Sequence, residues 1–324
     1  MKSSCSFLGI DCSAYTTSMA LVDGEERLLW ERRLALPVRR GALGLRQSEA
    51  VFAHIKNLPP LWEEGAARLK DAPLAAVAAS TRPRPVAGSY MPVFKVSEAA
   101  GTLISRTLGL PFYAFSHQEG HIAAALWSCG LPPGPYLAVH LSGGTTELLS
   151  VVVKEGASLE IARIGGGSDL HAGQFVDRVG VAMGLSFPAG SALEDWARRG
   201  RSGGVTLPVA VKGTAISFSG PASHALRLLQ RGVDPHDLAR AVETCIADSL
   251  AQALHAACVQ GDYTAILVAG GVAANSFIRR RLVQKGPRLP FHFASPSFAG
   301  DNAAGLAVLA ERRYAAGEEI RKGK

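Results

Sequence analysis

Two short segments of this chain repeat one another. Leu8-Gly-Ile-Asp-Cys-Ser13-Ala-Tyr-Thr16-Thr17 and Leu137-Ala-Val-His-Leu-Ser142-Gly-Gly-Thr145-Thr146 match in one leucine, one serine and two threonines at a single offset. Chance identity among small residues is the alternative reading of these matches. Each copy reads as a buried strand, a tight turn of Ser, Thr or Gly, and a second strand. The breaker cluster Leu131-Pro-Pro-Gly-Pro135 lies between the copies. A strand–turn–strand unit written twice on either side of a linker predicts two similar α/β domains. The expected division is 1–115 plus 302–324 for the first domain and 116–301, with a helical insertion, for the second.

The remaining periodicity fills in those domains. Strands are predicted at Ser18–Val22, Arg27–Arg33, Ala75–Ala79, Phe112–Phe115, Tyr136–Leu141, Glu147–Val153, Ala265–Ala269 and Phe291–Phe293. Helical spacing runs over Ser48–Lys70, interrupted by Pro59-Pro60, and over Val93–Leu108, His117–Ser128, Ala273–Val283 and Asn302–Ala315; helices dominate Leu170–Gln260. With 48% hydrophobic and 19% charged residues the chain is not a disordered one. No apolar run reaches the roughly 18 residues of a membrane-spanning helix, and the N-terminal apolar stretch is too short for a signal sequence. A cytoplasmic protein without a membrane partner is expected. Five cysteines without a Cys-x-x-Cys pair argue against a disulfide framework or zinc ribbon. The net charge of +7 favours an anionic partner such as RNA. Arg39-Arg40, Arg198-Arg199-Arg201 and Arg279-Arg280-Arg281 are the candidate phosphate contacts; a solvated basic face is the alternative.

Tight turns of this composition present backbone N–H groups and hydroxyls to anionic oxygens. Two of them facing one another would clamp a phosphate. That is the layout of the superfamily of actin, sugar kinases and heat-shock chaperones, which hold a nucleotide in a cleft between two ribonuclease-H-like α/β domains. Val268-Ala-Gly270-Gly271-Val-Ala-Ala-Asn275 follows a strand and opens a helix. It is therefore expected to approach an adenosine closely through its glycines.

His117-Gln-Glu-Gly-His121 sets two imidazoles about 40° apart on one helical face, a spacing that presents two ligands to one metal; two partly exposed helical histidines are the other reading of the pair taken alone. Glu119 falls about 200° from His117 and points away, which disfavours the general-base role of a zinc protease. Asp301, just ahead of the last predicted helix, would supply a carboxylate; its other expected role is an N-cap. Two imidazoles and a carboxylate accept iron or zinc equally well.

Together these motifs resemble the universal tRNA threonylcarbamoyladenosine transferases, formerly described as O-sialoglycoprotein endopeptidases of peptidase family M22. The resemblance runs through Leu8–Ser18, His117–His121, Leu141–Glu147, Gly173–Arg178, Phe187–Gly190, Ser217–Gly220, Val268–Asn275 and Gly300–Ala304, nearly the whole chain. It implies metal ligation by His117, His121 and Asp301. It implies adenylate contacts at His140, Leu141, Ser142, Gly143 and Gly144, at Asp177 and Gly190, and at Gly270, Gly271 and Asn275. Asp11, Ser13, Thr16 and Thr145 are secondary candidates. It further implies one divalent metal ion, an adenine nucleotide as substrate, and transfer of a threonylcarbamoyl group from its adenylate to the adenine next to the tRNA anticodon. The partners would be tRNA, a shorter paralogue and a small ATPase.

Four departures from the family pattern stand out. Thr145 replaces a histidine. Ser80-Thr-Arg-Pro-Arg-Pro85 replaces a Gly-Pro-Gly turn. Gln174 replaces a carboxylate, and Ser116 replaces an asparagine. Two readings follow. One is a divergent acyltransferase acting on tRNA. The other is a nucleotide- and metal-binding paralogue with a regulatory or scaffold role and no transfer. Retained His117, His121 and Asp301 favour the first; the altered positions favour the second.

Overall fold

A computed structural model describes residues 5–37, 45–70, 72–154 and 158–317. The chain divides into two compact units, one of Met1–Pro133, Val153–Leu159 and Gly300–Lys324, the other of Gly134–Val152 and Glu160–Ala299. The sequence-based division at 115/116 and 301/302 differs at both boundaries: Ser116, the helix carrying His117 and His121, and Gly300 with Asp301 lie with the first unit, and the first change of unit falls at the predicted proline linker.

The first unit opens with β1 (Ser6–Cys12), β2 (Thr16–Asp23) and β3 (Leu28–Ala35), followed by α1 (Gln47–Ala66), β4 (Leu74–Arg82), α2 (Phe94–Leu108), β5 (Phe112–Ser116) and α3 (His117–Ser128). Its sheet has the order β3-β2-β1-β4-β5. β1 pairs antiparallel with β2 and parallel with β4, and β4 runs parallel to β5. All seven residues of β1 are buried, as a central strand covered on both faces requires. Leu8, Ile10, Met19, Leu21, Leu61, Val77 and Ala79 form the core between the sheet and α1.

The second unit contains β6 (Gly134–Leu141), β7 (Thr146–Val153), β8 (Leu159–Gly167), α4 (Ala172–Ala182), α5 (Gly190–Ala197), β9 (Val211–Lys212), β10 (Ala215–Ile216), α6 (Ser219–Gln230), α7 (Pro235–Cys258), β11 (Ala265–Ala269), α8 (Ser276–Lys285), β12 (Phe291–Phe293) and α9 (Pro296–Ala299). The chain then returns to the first unit as α10 (Ala304–Ala315). The second sheet runs β12-β11-β6-β7-β8-β10-β9. Read from β8, its first five strands repeat the strand order of the first sheet. The internal repeat survives at atomic detail: Ser13 N–H donates to Thr16 C=O at 3.0 Å, and Ser142 N–H to Thr145 C=O at 2.9 Å.

The structure differs from the sequence expectation in a few elements. α1 continues through Pro59 and Pro60. Both prolines lie on the exposed face, and Ile55 and Lys56, whose carbonyls lose their helical N–H partners, are exposed too, so water can take the missing bonds. The short pair β9–β10 falls inside the stretch predicted to be helical, and β8 occupies Leu159–Gly167, just ahead of it, where no element is predicted. They contain two to nine residues with little alternation, too little for a period to register. The helix predicted from Ala273 starts at Ser276, after a 3-10 turn over Gly271–Ala274.

Candidate functional site

The first unit gathers four titratable groups at the C-terminal end of β1. Glycines allow this. A Cβ on Gly9 of β1 would stand 2.2 Å from the Ala303 carbonyl oxygen, and a Cβ on Gly305 of α10 would stand 2.0 Å from the Gly120 carbonyl oxygen of α3. The three backbones therefore meet at distances no side chain permits. That contact brings Asp11, His117, His121 and the residue just ahead of α10, Asp301, together. Ser116 starts α3 with a capping box: its hydroxyl accepts the Glu119 N–H at 3.1 Å, and its own N–H donates to Glu119 Oε2 at 2.6 Å. Glu119 is thus used as a cap and turned away from the histidines, as its spacing predicts. Asp301 is no cap; the N-cap of α10 is Ala303.

His121 Nε2 lies 3.1 Å from His117 Nε2 and 3.2 Å from Asp301 Oδ1, and His117 Nε2 lies 3.6 Å from the same oxygen. Ligand atoms held about 2.0–2.2 Å from a tetrahedral metal are about 3.3–3.6 Å apart, so the triangle is of the size a small divalent cation needs. Nδ1 of His117 bonds Asp11 Oδ1 at 2.9 Å, which fixes the ring with Nε2 toward the other two groups. Asp11 is 1% exposed, and its Oδ2 has no hydrogen-bond partner among the described residues. A buried carboxylate, Asp11, and a partly exposed one, Asp301, beside two imidazoles make a site that calls for positive charge. The same field acts on the protonation states. Burial pushes the His117 imidazole down, but the Asp11 and Asp301 carboxylates overcome it and raise the group to about 10. Burial would raise Asp301; hydrogen bonds from both imidazoles instead hold it well below the usual carboxylate range. A cation bound here would replace that proton.

The second unit contains a cavity of about 380 Å³, within the range of small-ligand sites. It lies between the Gly-rich turn after β6, the start of α4, the start of α5 and the turn after β11. Of the residues implied by the family resemblance, Gly143, Asp177, Gly190, Gly271 and Asn275 line it. Asp177 Oδ1 accepts the Ala189 N–H at 2.7 Å, and burial raises its carboxyl despite that bond. Asn275 caps α8 through Oδ1, which accepts the Ile278 N–H at 2.9 Å, and donates from Nδ2 to Glu243 Oε1 at 2.6 Å. The two adjacent glycines differ in role. Gly270 has φ 100°, and a Cβ there would lie 2.1 Å from the Leu141 carbonyl oxygen. At Gly271 a Cβ would meet no protein atom within 4 Å.

Other expected residues stand elsewhere. Leu141 is a core side chain of β6 and His140 is buried in the same strand; these two, Ser142, Gly144 and Gly270 are not among the cavity's lining residues. Thr16 and Thr145 close their turns through backbone carbonyls. Two cavity carboxylates escaped the sequence reading. Glu194 accepts from the Ser276 N–H and hydroxyl at 3.0 and 2.6 Å; its signal was the position one turn after Gly190 on α5. Glu243 is 1% exposed and lies in the middle of α7, where nothing in the sequence sets it apart. Burial pushes it up to about 7, against the Asn275 amide and the Arg240 guanidinium. The basic clusters are partly spent within the protein: Arg281 forms a two-point pair with Asp248, Arg201 pairs with Asp237, and Arg279 donates to the Ala273 and Ala294 carbonyls. Arg39 and Arg40 lie outside the described residues. All five cysteines are free thiols.

Two compact units whose sheets share one strand order have the two-domain α/β fold of actin- and sugar-kinase-like proteins. Solved structures agree on the fold. Component A of the (R)-2-hydroxyglutaryl-CoA dehydratase of Acidaminococcus fermentans superposes with a TM-score of 0.59 at 16% identity, over 96% of this chain and all of that one. HypF of T. kodakarensis gives 0.62 at 15% identity, over 98% of this chain and 48% of that one. The family model for TsaD, tRNA N6-adenosine threonylcarbamoyltransferase, matches residues 44–308. The protein of that name from Thermus thermophilus is 33% identical over 96% of this chain and 93% of its own length. The one from Prochlorococcus marinus is 35% identical over 89% and 84%. The chain belongs to the tRNA N6-adenosine threonylcarbamoyltransferase family.

Proposed function

We propose that this chain transfers the threonylcarbamoyl group from threonylcarbamoyl-adenylate to the N6 amine of the adenine next to the tRNA anticodon, releasing AMP. The observation that carries the proposal is the triangle of His117, His121 and Asp301, kept at ligand spacing in a divergent member of the family. Asp177 offers a carboxylate oxygen to ribose hydroxyls, Gly143, Gly190 and Gly271 allow backbone approach, and Asn275 contributes its amide edge. The nucleophile is the amine of the tRNA base, so no protein nucleophile is needed. A divalent ion held by His117, His121 and Asp301, iron or zinc, would act as a Lewis acid toward the acyl or phosphate oxygens of the donor. Asp11 would keep His117 in the ligating tautomer.

Two of the departures from the family pattern carry less weight than the sequence gives them. Ser116 caps α3 as an asparagine would, and Gln174 caps α4 by accepting the His171 N–H at 3.1 Å. Thr145 and the Ser80–Pro85 segment remain the observations that favour the second reading, a metal- and nucleotide-binding paralogue without transfer. Cells depleted of their main transferase and supplied with this chain, the shorter paralogue and the small ATPase should regain the modified nucleoside, measured by mass spectrometry. Failure to regain it would favour the scaffold reading. Metal content is tested apart from activity: protein purified without chelators should contain one divalent ion per chain, and His117→Ala with His121→Ala should lose it. No helix among the described residues is long and apolar enough to cross a membrane, in keeping with a cytoplasmic tRNA-modifying enzyme.

A further inference from the structure

We propose that His54 and Ser13 act as positioning residues that commit Asp301 to metal ligation through Oδ1 alone. The inference rests on the metal reading above and adds two residues to it.

Asp301 sits in the short link between α9 and α10, without helical hydrogen bonds or a capping role to orient its carboxylate. What restrains it is Ser13 of the β1–β2 turn, whose hydroxyl donates a short hydrogen bond to Oδ2. That hydroxyl also accepts the Thr16 N–H at 3.1 Å and lies 3.3 Å from the Thr16 carbonyl; of the two acceptors open to its single proton, Asp301 Oδ2 is the nearer and, as a carboxylate, the stronger. With Oδ2 occupied, Oδ1 is the oxygen left facing the Nε2 atoms of both histidines.

The turn is in turn held by α1. His54, fully buried, places Nε2 2.8 Å from the Ser13 carbonyl and Nδ1 2.8 Å from Thr17 Oγ1. A carbonyl can only accept, so Nε2 bears the proton, and in the neutral imidazole Nδ1 is then the acceptor. Thr17 must then donate to Nδ1, and Asn57 Nδ2 donates to Thr17 Oγ1 at 3.0 Å. With His54 neutral, every hydrogen bond in the series Asn57, Thr17, His54, Ser13, Asp301 has one direction; a charged imidazole would donate from Nδ1 as well and take from the Thr17 hydroxyl proton the acceptor it has in the neutral form. Burial, which pushes the His54 imidazole below its ordinary value, works to the same end against the Ser13 carbonyl and Asp11. Partners of this kind, one bond behind a ligand, typically contribute about 10–100-fold to metal affinity.

The test uses the full chain and Zn²⁺ alone as probe, with affinity read by competition against a chromophoric chelator and apo-protein melting as the folding control. Ser13→Ala removes one hydroxyl and should weaken Zn²⁺ about 10-fold or more with an unchanged melting temperature. His54→Leu fills the space without either hydrogen bond and should weaken Zn²⁺ in the same direction. His54→Gln can again donate to Ser13 and accept from Thr17, and should restore affinity to within about 3-fold of wild type. Folded Ser13→Ala with wild-type affinity would overturn the proposal. So would a His54→Gln chain as weak as His54→Leu, since the role of His54 would then be packing. If His54→Leu fails to fold, Ser13→Ala and His54→Gln decide alone. Wild-type affinity in His117→Ala with His121→Ala would instead overturn the metal reading itself.

Discussion

The two glycines after β11 show how much chemistry rests on a single Cβ. Gly270 adopts a left-handed φ against the Leu141 carbonyl. Gly270→Ala should therefore destabilise the fold by roughly 1–3 kcal/mol, through both strain and overlap. Gly271 faces no protein atom, yet lines the cavity. Gly271→Val should leave the melting temperature nearly unchanged while weakening adenine-nucleotide binding at least 10-fold by calorimetry; equal affinity in both chains would remove the cavity as the nucleotide site. Glu243 gives a pH signature. Its folded-state value of about 7 lies above the ordinary 4.5, so between these values the folded chain holds a proton that the unfolded chain has released. Stability from this group is therefore full below about pH 4.5 and falls as pH rises toward 7. Glu243→Gln should show a shallower loss of stability than wild type from pH 5 to 7. Equal slopes in denaturant titrations would mean that Glu243 is ionised throughout.

At the scale of elements, the metal triangle depends on how closely α3 and α10 approach. Gly305 is the contact that permits it, with 2.0 Å from a notional Cβ to the Gly120 carbonyl oxygen. Gly305→Ala must push the helices apart at a cost of about 1–3 kcal/mol. Since Asp301 rides ahead of α10 and both histidines ride on α3, that shift should also lower metal content. A Gly305→Ala chain that melts like wild type and retains its metal would show that the close approach is not needed. The start of α3 shows why residue identity can change while an element stays. Ser and Asn are equivalent N-caps, so Ser116 keeps the helix, and with it the register of His117 and His121.

At the scale of the whole molecule, the net charge of +7 fits an RNA acceptor, but several arginines that looked available are held by Asp237, Asp248 or backbone carbonyls. Transfer activity is where Thr145 is tested. A positioned donor group of the kind lost with the family histidine can be worth about 10² in rate. Thr145→His should therefore raise threonylcarbamoyl transfer in an assay reconstituted with the shorter paralogue and the small ATPase. If wild type shows none and Thr145→His restores none, the scaffold reading replaces the enzymatic one.

The amino-acid sequence by itself determined the repeated strand–turn–strand unit, most strand and helix positions, the His117–His121 face and the family, because each is written in local spacing or in motifs a few residues long. Asp11 and Ser13 were visible only as secondary candidates, without the contacts to His117 and Asp301 that give them a role. What the tertiary structure decided is which distant residues meet. Asp301 reaches the histidines across 180 residues of sequence because Gly9 and Gly305 let three backbones touch. His54 and Glu243 carry no local signal; they sit on long helices, and only burial against Ser13 or Asn275 gives them a role. The short β9–β10 pair and the 3-10 turn before α8 were missed for a related reason: segments of two to four residues take their conformation from the surface they pack on, not from a period of their own.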